Sequence, residues 1–241
     1  MVVYDKLFLF NSFYNISVQI SRGYGVFFPK NKEFLHKMRS LSGEIMQLVC
    51  HYLKEEYDIG ANFYLVGSGA RNLILQNEKK RVDLDYNLEI VRCENYKDCK
   101  CLKECVRKTF NKVLGEYQLH DCEDSTSSLT SKPIQFKNGN DTEFSIDICI
   151  TTKDEKGNYH RLIHDKTGWT FHDRYFWNMA PQSKDLKKKV DYIKEHGKWI
   201  LVREQYQRIK NRYLTENDNY HSSFVCYIEA VNNVYNMRKH W

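Results

Sequence analysis

The sequence predicts an α/β (α+β) fold: a mixed twisted sheet of about five strands with helices on one face, then a C-terminal helical region. Residues 61–90 read as strand, glycine turn, short helix and second strand. Residues 133–151 hold two alternating runs joined by Asn138-Gly139, a dipeptide that tight hairpins favour. Beyond residue 183 the chain reads as helical, and in its last helix apolar residues return every three or four positions, the period of helices packed on one side.

Residues 1–30 are rich in Phe and Tyr and are expected to form one or two short strands or an irregular arm, turning at Arg22-Gly23-Tyr24-Gly25. From 31 to 57, Leu35, Met38, Leu41, Ile45, Leu48, Val49, Tyr52 and Leu53 recur at helical spacing. That helix should end before Asp58-Ile59-Gly60 and lay its apolar face on the sheet. A strand over 62–66 leads into the turn Gly67-Ser68-Gly69 and a short helix over 70–76. A charged loop at 77–81 precedes a strand over 82–90. Residues 93–99 form a polar loop, followed by a helix over 99–115. Strand 117–122, a Ser/Thr-rich loop at 124–132, the hairpin of 133–137 with 143–151, and a strand over 159–164 complete the sheet. A boundary near residues 166–168 divides a catalytic domain, 1–167, from a helical region, 168–241. The helices of that region cover 183–197, 198–214 and 222–241, the last packing through Val225, Ile228, Val231, Val234 and Tyr235.

The chemistry concentrates in the first unit. Strand residues alternate faces, so Asp83 and Asp85 point one way while Val82, Leu84 and Tyr86 point the other. Paired carboxylates a few ångströms apart repel and raise each other's pKa unless a cation lies between them. A hard, oxygen-preferring ion such as Mg²⁺ suits them, with phosphate supplying further oxygens. The glycine turn offers backbone N–H groups at a helix start, where an anion is favoured. Asp147 stands in the strand over 143–151, in which Phe144, Ile146, Ile148 and Ile150 share one face and Ser145, Asp147 and Cys149 the other. An unpaired charge there is expensive, so Asp147 needs either a metal beside Asp83 and Asp85 or a buried Arg or Lys partner.

Gly67-Ser68, a helix, Asp83-Leu84-Asp85 on the next strand and Asp147 on a later one resemble the DNA polymerase β-like nucleotidyltransferase superfamily over roughly residues 61–150. One departure is the long interval from Ser68 to Asp83, filled by Lys79-Lys80-Arg81. The resemblance implies a Mg²⁺-dependent nucleotidyltransferase with two metal ions, which moves a nucleoside monophosphate from a nucleoside triphosphate to a hydroxyl-type acceptor and releases pyrophosphate. It assigns Asp83, Asp85 and Asp147 to the metals and to catalysis, and Gly67 and Ser68 to the triphosphate. Arg71 is either a phosphate contact or a surface arginine. A basic residue among Lys184, Lys187, Lys188 and Lys189, or Arg203, is a further candidate, against a plainly solvated helix face. A small molecule or protein is the first expectation for the acceptor and nucleic acid the second, because long RNA processors carry extra basic domains. Second-messenger synthesis belongs with the nucleic-acid alternative.

Composition bounds the rest. Across 241 residues, 37 basic and 31 acidic side chains give a net charge of +6, compatible with anionic substrates. No apolar run reaches membrane-spanning length. Asp5 and Lys6 interrupt the apolar N-terminus and eight cysteines lack a secretory signal, so a cytoplasmic protein with reduced thiols is expected. Cys93, Cys99, Cys101 and Cys105 depart from paired zinc-ligand spacing and read either as scattered thiols or as a zinc set. Tyr175, Phe176 and Trp177 read as core packing or as a base-stacking platform. His120, His160, His164 and His172 show no nucleophile–base spacing, and the serine turn lacks a nucleophile elbow's second glycine, which leaves a Ser-His-Asp hydrolase without an anchor. A non-catalytic nucleotide binder is disfavoured by the intact carboxylate set. A zinc-bearing nucleic-acid module remains the other alternative.

Overall fold

A computed structural model describes residues 27–28, 31–76, 81–137, 142–180, 184–215 and 222–241. The expected N-terminal arm (apart from residues 27–28), most of the charged loop and the Asn138-Gly139 turn lie outside the described residues.

Helix α1, Lys32–Tyr57, starts where the Asn31 side chain accepts the Phe34 N–H at 2.9 Å and ends at Asp58 in left-handed conformation. Strand β1, Gly60–Leu65, runs antiparallel to β2, Val82–Arg92. Between them lies the short helix α2, Gly67–Arg71. Helix α3, Cys99–Glu116, follows β2 and is capped by Asp98, whose side chain accepts the Cys101 N–H. The small strands β3, Glu123–Asp124, and β4, Leu129–Thr130, form a hairpin against β5, Phe144–Lys153. Strands β6, Tyr159–Asp165, and β7, Arg174–Met179, complete a mixed sheet of seven strands.

The centre is the parallel pair β2–β5, in register from Val82↔Phe144 to Glu89↔Thr151. Val82, Leu84, Tyr86 and Leu88 bury with Phe144, Ile146, Ile148 and Ile150 in one cluster with α1 and α3. Period-two alternation then places Asp83, Asp85, Ser145 and Asp147 together on the opposite face. A buried polar group ties α3 to the far side of the sheet. Lys103 pairs with Asp124 at 2.6 Å, and His164 lies between Asp124 and Asp173 at 2.8 and 3.1 Å.

A second core joins α4 (Lys184–Glu195), α5 (Trp199–Thr215) and α6 (Ser223–Asn236), and a 3-10 turn, Arg238–His240, follows. No helix among the described residues is long and apolar enough to cross a membrane.

Several boundaries differ from the sequence expectation. The helix expected over 70–76 begins at Gly67 and stops at Asn72, which is left-handed with φ 56°. It stops because Leu73 enters the helical core while Ile74 enters the sheet core, an alternation that a helix cannot supply. No strand forms over 117–122; Leu119 N–H instead donates back to Leu114 O, closing the end of α3. The hairpin of 133–137 shrinks to one bridge, Ile134↔Phe144, because Ser131 Oγ accepts the Ile146 N–H and β4 occupies that edge of β5. The sheet passes the boundary expected near 166–168, since β7 pairs with β6 through six residues. On α6 the buried face is Cys226, Tyr227, Ala230, Val231 and Val234, with Val225 exposed.

Candidate active site

The β2–β5 register sets Asp85 opposite Asp147 and Asp83 opposite Ser145. Neighbouring strands lie about 4.8 Å apart, and residues two apart on one face about 6.6 Å, so the backbone holds all three carboxylates within a side chain's reach of one centre. Asp147 Oδ1 is buried without a hydrogen-bond partner, while the Thr130 hydroxyl donates to the same carboxylate. No lysine or arginine among the described residues forms an ion pair with Asp147, so the buried-partner alternative has no support there. Burial first, then the neighbouring Asp147 and Asp83, push the Asp85 carboxyl up to about 6. Burial likewise raises Asp147, against the Thr130 hydrogen bond. Asp83 is more exposed and is held by Ser145 Oγ, which donates at 2.6 Å, and by Arg81 Nε at 3.3 Å.

Gly67 faces Asp85. Its φ is +61°, and a methyl group there would run into Asp85 Oδ2, 3.1 Å from the carboxyl carbon. Val66 N–H donates to Asp85 O at 2.8 Å, which locks the turn to β2. Glycine is therefore required twice, for the left-handed backbone and for the close approach. With only five residues, α2 contributes little dipole; Ser68 brings its hydroxyl and the unpaired N–H groups of a first helical turn. Arg71 is neither free nor a plain surface residue. Its Nη1 donates to Gly67 O at 2.7 Å, its guanidinium lies 4.7 Å from the Tyr227 ring centroid, and its charge eases the ionisation of Asp85.

Among the described residues no group of three His, Cys, Asp or Glu side chains gathers closely enough to hold a metal ion. That covers the Cys93, Cys99, Cys101 and Cys105 set, whose thiols are free, and also the side-chain positions of Asp83, Asp85 and Asp147. Of the three carboxylates, Asp83 is engaged by Ser145 Oγ and Arg81 Nε. The backbone placement and the orphaned Asp147 oxygen fit a divalent cation, which would relieve both the buried oxygen and the repulsion.

Some residues of the site were not legible in sequence. Ser145 was placed on the right face, but its bond to Asp83 depends on register. Arg39 of α1, whose Nη2 donates to Gly69 O at 2.8 Å and to Asn72 Oδ1 at 3.1 Å, gave no signal, and neither did Trp199, whose Nε1 donates to Arg71 O at 3.2 Å. Of the aromatic trio, Tyr175 stacks on His164 and the Trp177 indole donates to Tyr96 O, both against the core, while Phe176 points outward. Lys189 donates to Asn232 between α4 and α6, and Arg203 covers the Phe28 ring at 4.3 Å.

No family model matches the sequence, and no curated protein matches it. Solved structures do resemble it. Escherichia coli DncV bound to 3′-deoxy GTP gives a TM-score of 0.55 at 11% identity, over 90% of this chain and 70% of that one. CdnC from E. coli MS115-1, complexed with HORMA-deltaN, gives 0.53 at 16% identity, over 87% of this chain and 61% of that one. The Elizabethkingia meningoseptica CdnE cyclic dinucleotide synthase with GTP and Apcpp gives 0.50 at 13% identity, over 81% and 69%. The chain thus spans about three-fifths of the CdnC length, 61%. At these identities the likeness speaks to architecture alone: the chain shares the mixed α/β fold of these structures.

Proposed function

We propose that the chain is a nucleotidyltransferase that moves a nucleoside monophosphate from a nucleoside triphosphate to a hydroxyl-type acceptor. The observation that carries this reading is Asp85, against Gly67 and opposite Asp147 across the strand pair, with one Asp147 oxygen buried and unpartnered. Asp83, Asp85 and Asp147 would hold magnesium. Bound there, the metal supplies neutralisation of the phosphates and a lowered pKa for the acceptor hydroxyl. Gly67 lets the triphosphate approach the backbone, and the Ser68 hydroxyl and first-turn N–H groups bind its oxygens. Arg71 keeps the turn in place through Gly67 O and adds positive charge beside it. The acceptor oxygen bonds to the α-phosphorus, the bond to the bridging oxygen breaks, and pyrophosphate leaves. The acceptor's proton would pass to the Asp147 carboxylate. Most of the rate then comes from alignment and charge stabilisation.

Chain size pointed first to a small molecule or protein as acceptor. The likeness to CdnE, a cyclic dinucleotide synthase with GTP, favours a second nucleotide as acceptor, giving an oligonucleotide product. Incubation with each α-labelled triphosphate and Mg²⁺, alone, with the other nucleotides or with lysate, separates these readings. Label entering a phosphatase-resistant oligonucleotide, with pyrophosphate released, is expected for a nucleotide acceptor. Label entering only the lysate's protein or metabolite fraction returns the acceptor to the first class. No transfer in any combination counts against the enzyme reading.

A further inference from the structure

We infer that Trp199 and Tyr227, on the C-terminal helices, are positioning residues for the Gly67-Ser68 turn; the inference rests on the nucleotidyl-transfer reading above. The segment that follows the turn is built into the helical core. Leu73 is 1% exposed and lies with Val190, Ile193, Val202 and Tyr206, with Leu75 packed beside them, whereas Ile74 between them joins the sheet core. Five residues of helix cannot hold themselves in place, since a helix that short has barely repaid its nucleation cost. Contacts from outside hold α2 instead. Trp199 Nε1 donates to Arg71 O at 3.2 Å, and the Tyr227 ring lies under the Arg71 guanidinium at 4.7 Å. The same guanidinium donates to Gly67 O at 2.7 Å. Contacts therefore run from α5 and α6 through Arg71 to the carbonyl of the residue whose Cα faces Asp85.

Such a chain has a reciprocal consequence. If the helical region fixes the turn, a nucleotide bound on the turn stabilises the helical region by the same free energy. Ordinary core packing predicts lost stability on mutation. Positioning predicts lost nucleotide affinity at nearly unchanged stability.

Trp199→Phe deletes the N–H donor and keeps an aromatic, though smaller, ring against the helical core, so affinity and local exchange are read beside stability. In ligand-free protein, hydrogen exchange should quicken at Ala70 and Leu73, whose N–H groups donate to Val66 O and Ser68 O, by more than the fall in the denaturation midpoint accounts for. With Mg²⁺ and nucleoside triphosphate, KM should rise about threefold to tenfold, the worth of one hydrogen bond, while kcat stays within about twofold. Should Trp199→Phe not fold, Tyr227→Phe, which deletes the hydroxyl that Arg71 meets and keeps the ring, reads the same two quantities. A folded variant with wild-type exchange at Ala70 and Leu73 and wild-type KM overturns the inference. If wild-type protein neither binds nor turns over triphosphate, the transfer reading has failed, and the ligand-free exchange alone decides whether the helices position the turn.

Discussion

Gly67→Val is expected to abolish nucleotidyl transfer and triphosphate binding together. The position has φ +61°, where a β-branched residue is a severe outlier. The first side-chain carbon would also occupy the space of Asp85 Oδ2. Either the turn retreats from β2, breaking the Val66–Asp85 backbone bond, or Asp85 rotates away from Asp147. Displacement of a reacting group by about 1 Å costs about a hundredfold in rate, and here the phosphate side and the carboxylate side are displaced at once. The measurement is steady-state kinetics beside circular dichroism. A folded Gly67→Val protein with wild-type kinetics would show that the turn is not the phosphate cradle.

Asp147→Asn should lower kcat by more than about a hundredfold, since even an outer partner of a metal site is worth about 10- to 100-fold. Its effect on stability has the opposite sign from that of a buried ion-pair partner. Removing such a partner strands a charge and costs about 3–5 kcal/mol. Among the described residues no opposite charge forms an ion pair with Asp147, although the Arg81 charge favours its ionised form, and burial and carboxylate neighbours press on Asp85 and Asp147 in the metal-free protein. The metal-free variant should melt at an equal or higher temperature than wild type, and the rise induced by Mg²⁺ and triphosphate should shrink. The same pressure sets a pH dependence. The folded-state pKa of Asp85, about 6, lies above its unfolded value, so its contribution is fully present below about pH 4 and is lost as pH rises through 6. Thermal melts of metal-free wild type across pH 4 to 8 should fall more steeply than those of Asp147→Asn. A large drop in the melting temperature of the metal-free variant would remove Asp147 from the site.

The parts of this site that were legible in sequence are those fixed by strand periodicity. Alternation alone put Asp83 and Asp85 on one face and Asp147 with Ser145 on another strand's equivalent face, because slipping one residue would bury the carboxylates and expose Ile146 and Ile148. Helices α1 and α3 to α6 were likewise written in their apolar spacing. What failed was short or tertiary in origin. The extent of α2 is decided by two cores pulling Leu73 and Ile74 in opposite directions, and β3–β4 by a free edge on β5. The Arg39, Trp199 and Tyr227 contacts link residues far apart in the chain. No local pattern encodes them. The Asp124–His164–Asp173 group was equally invisible, since its members stand 40 and 9 residues apart.

Calorimetric titration of nucleoside triphosphate into wild-type protein, with Mg²⁺ and with EDTA, tests the carboxylate site without knowledge of the acceptor. If Asp83, Asp85 and Asp147 share the metal that bridges to phosphate, affinity should weaken sharply in EDTA, because the triphosphate then meets bare carboxylates of its own sign. Equal affinity in Mg²⁺ and in EDTA would contradict a metal-bridged nucleotide at this site.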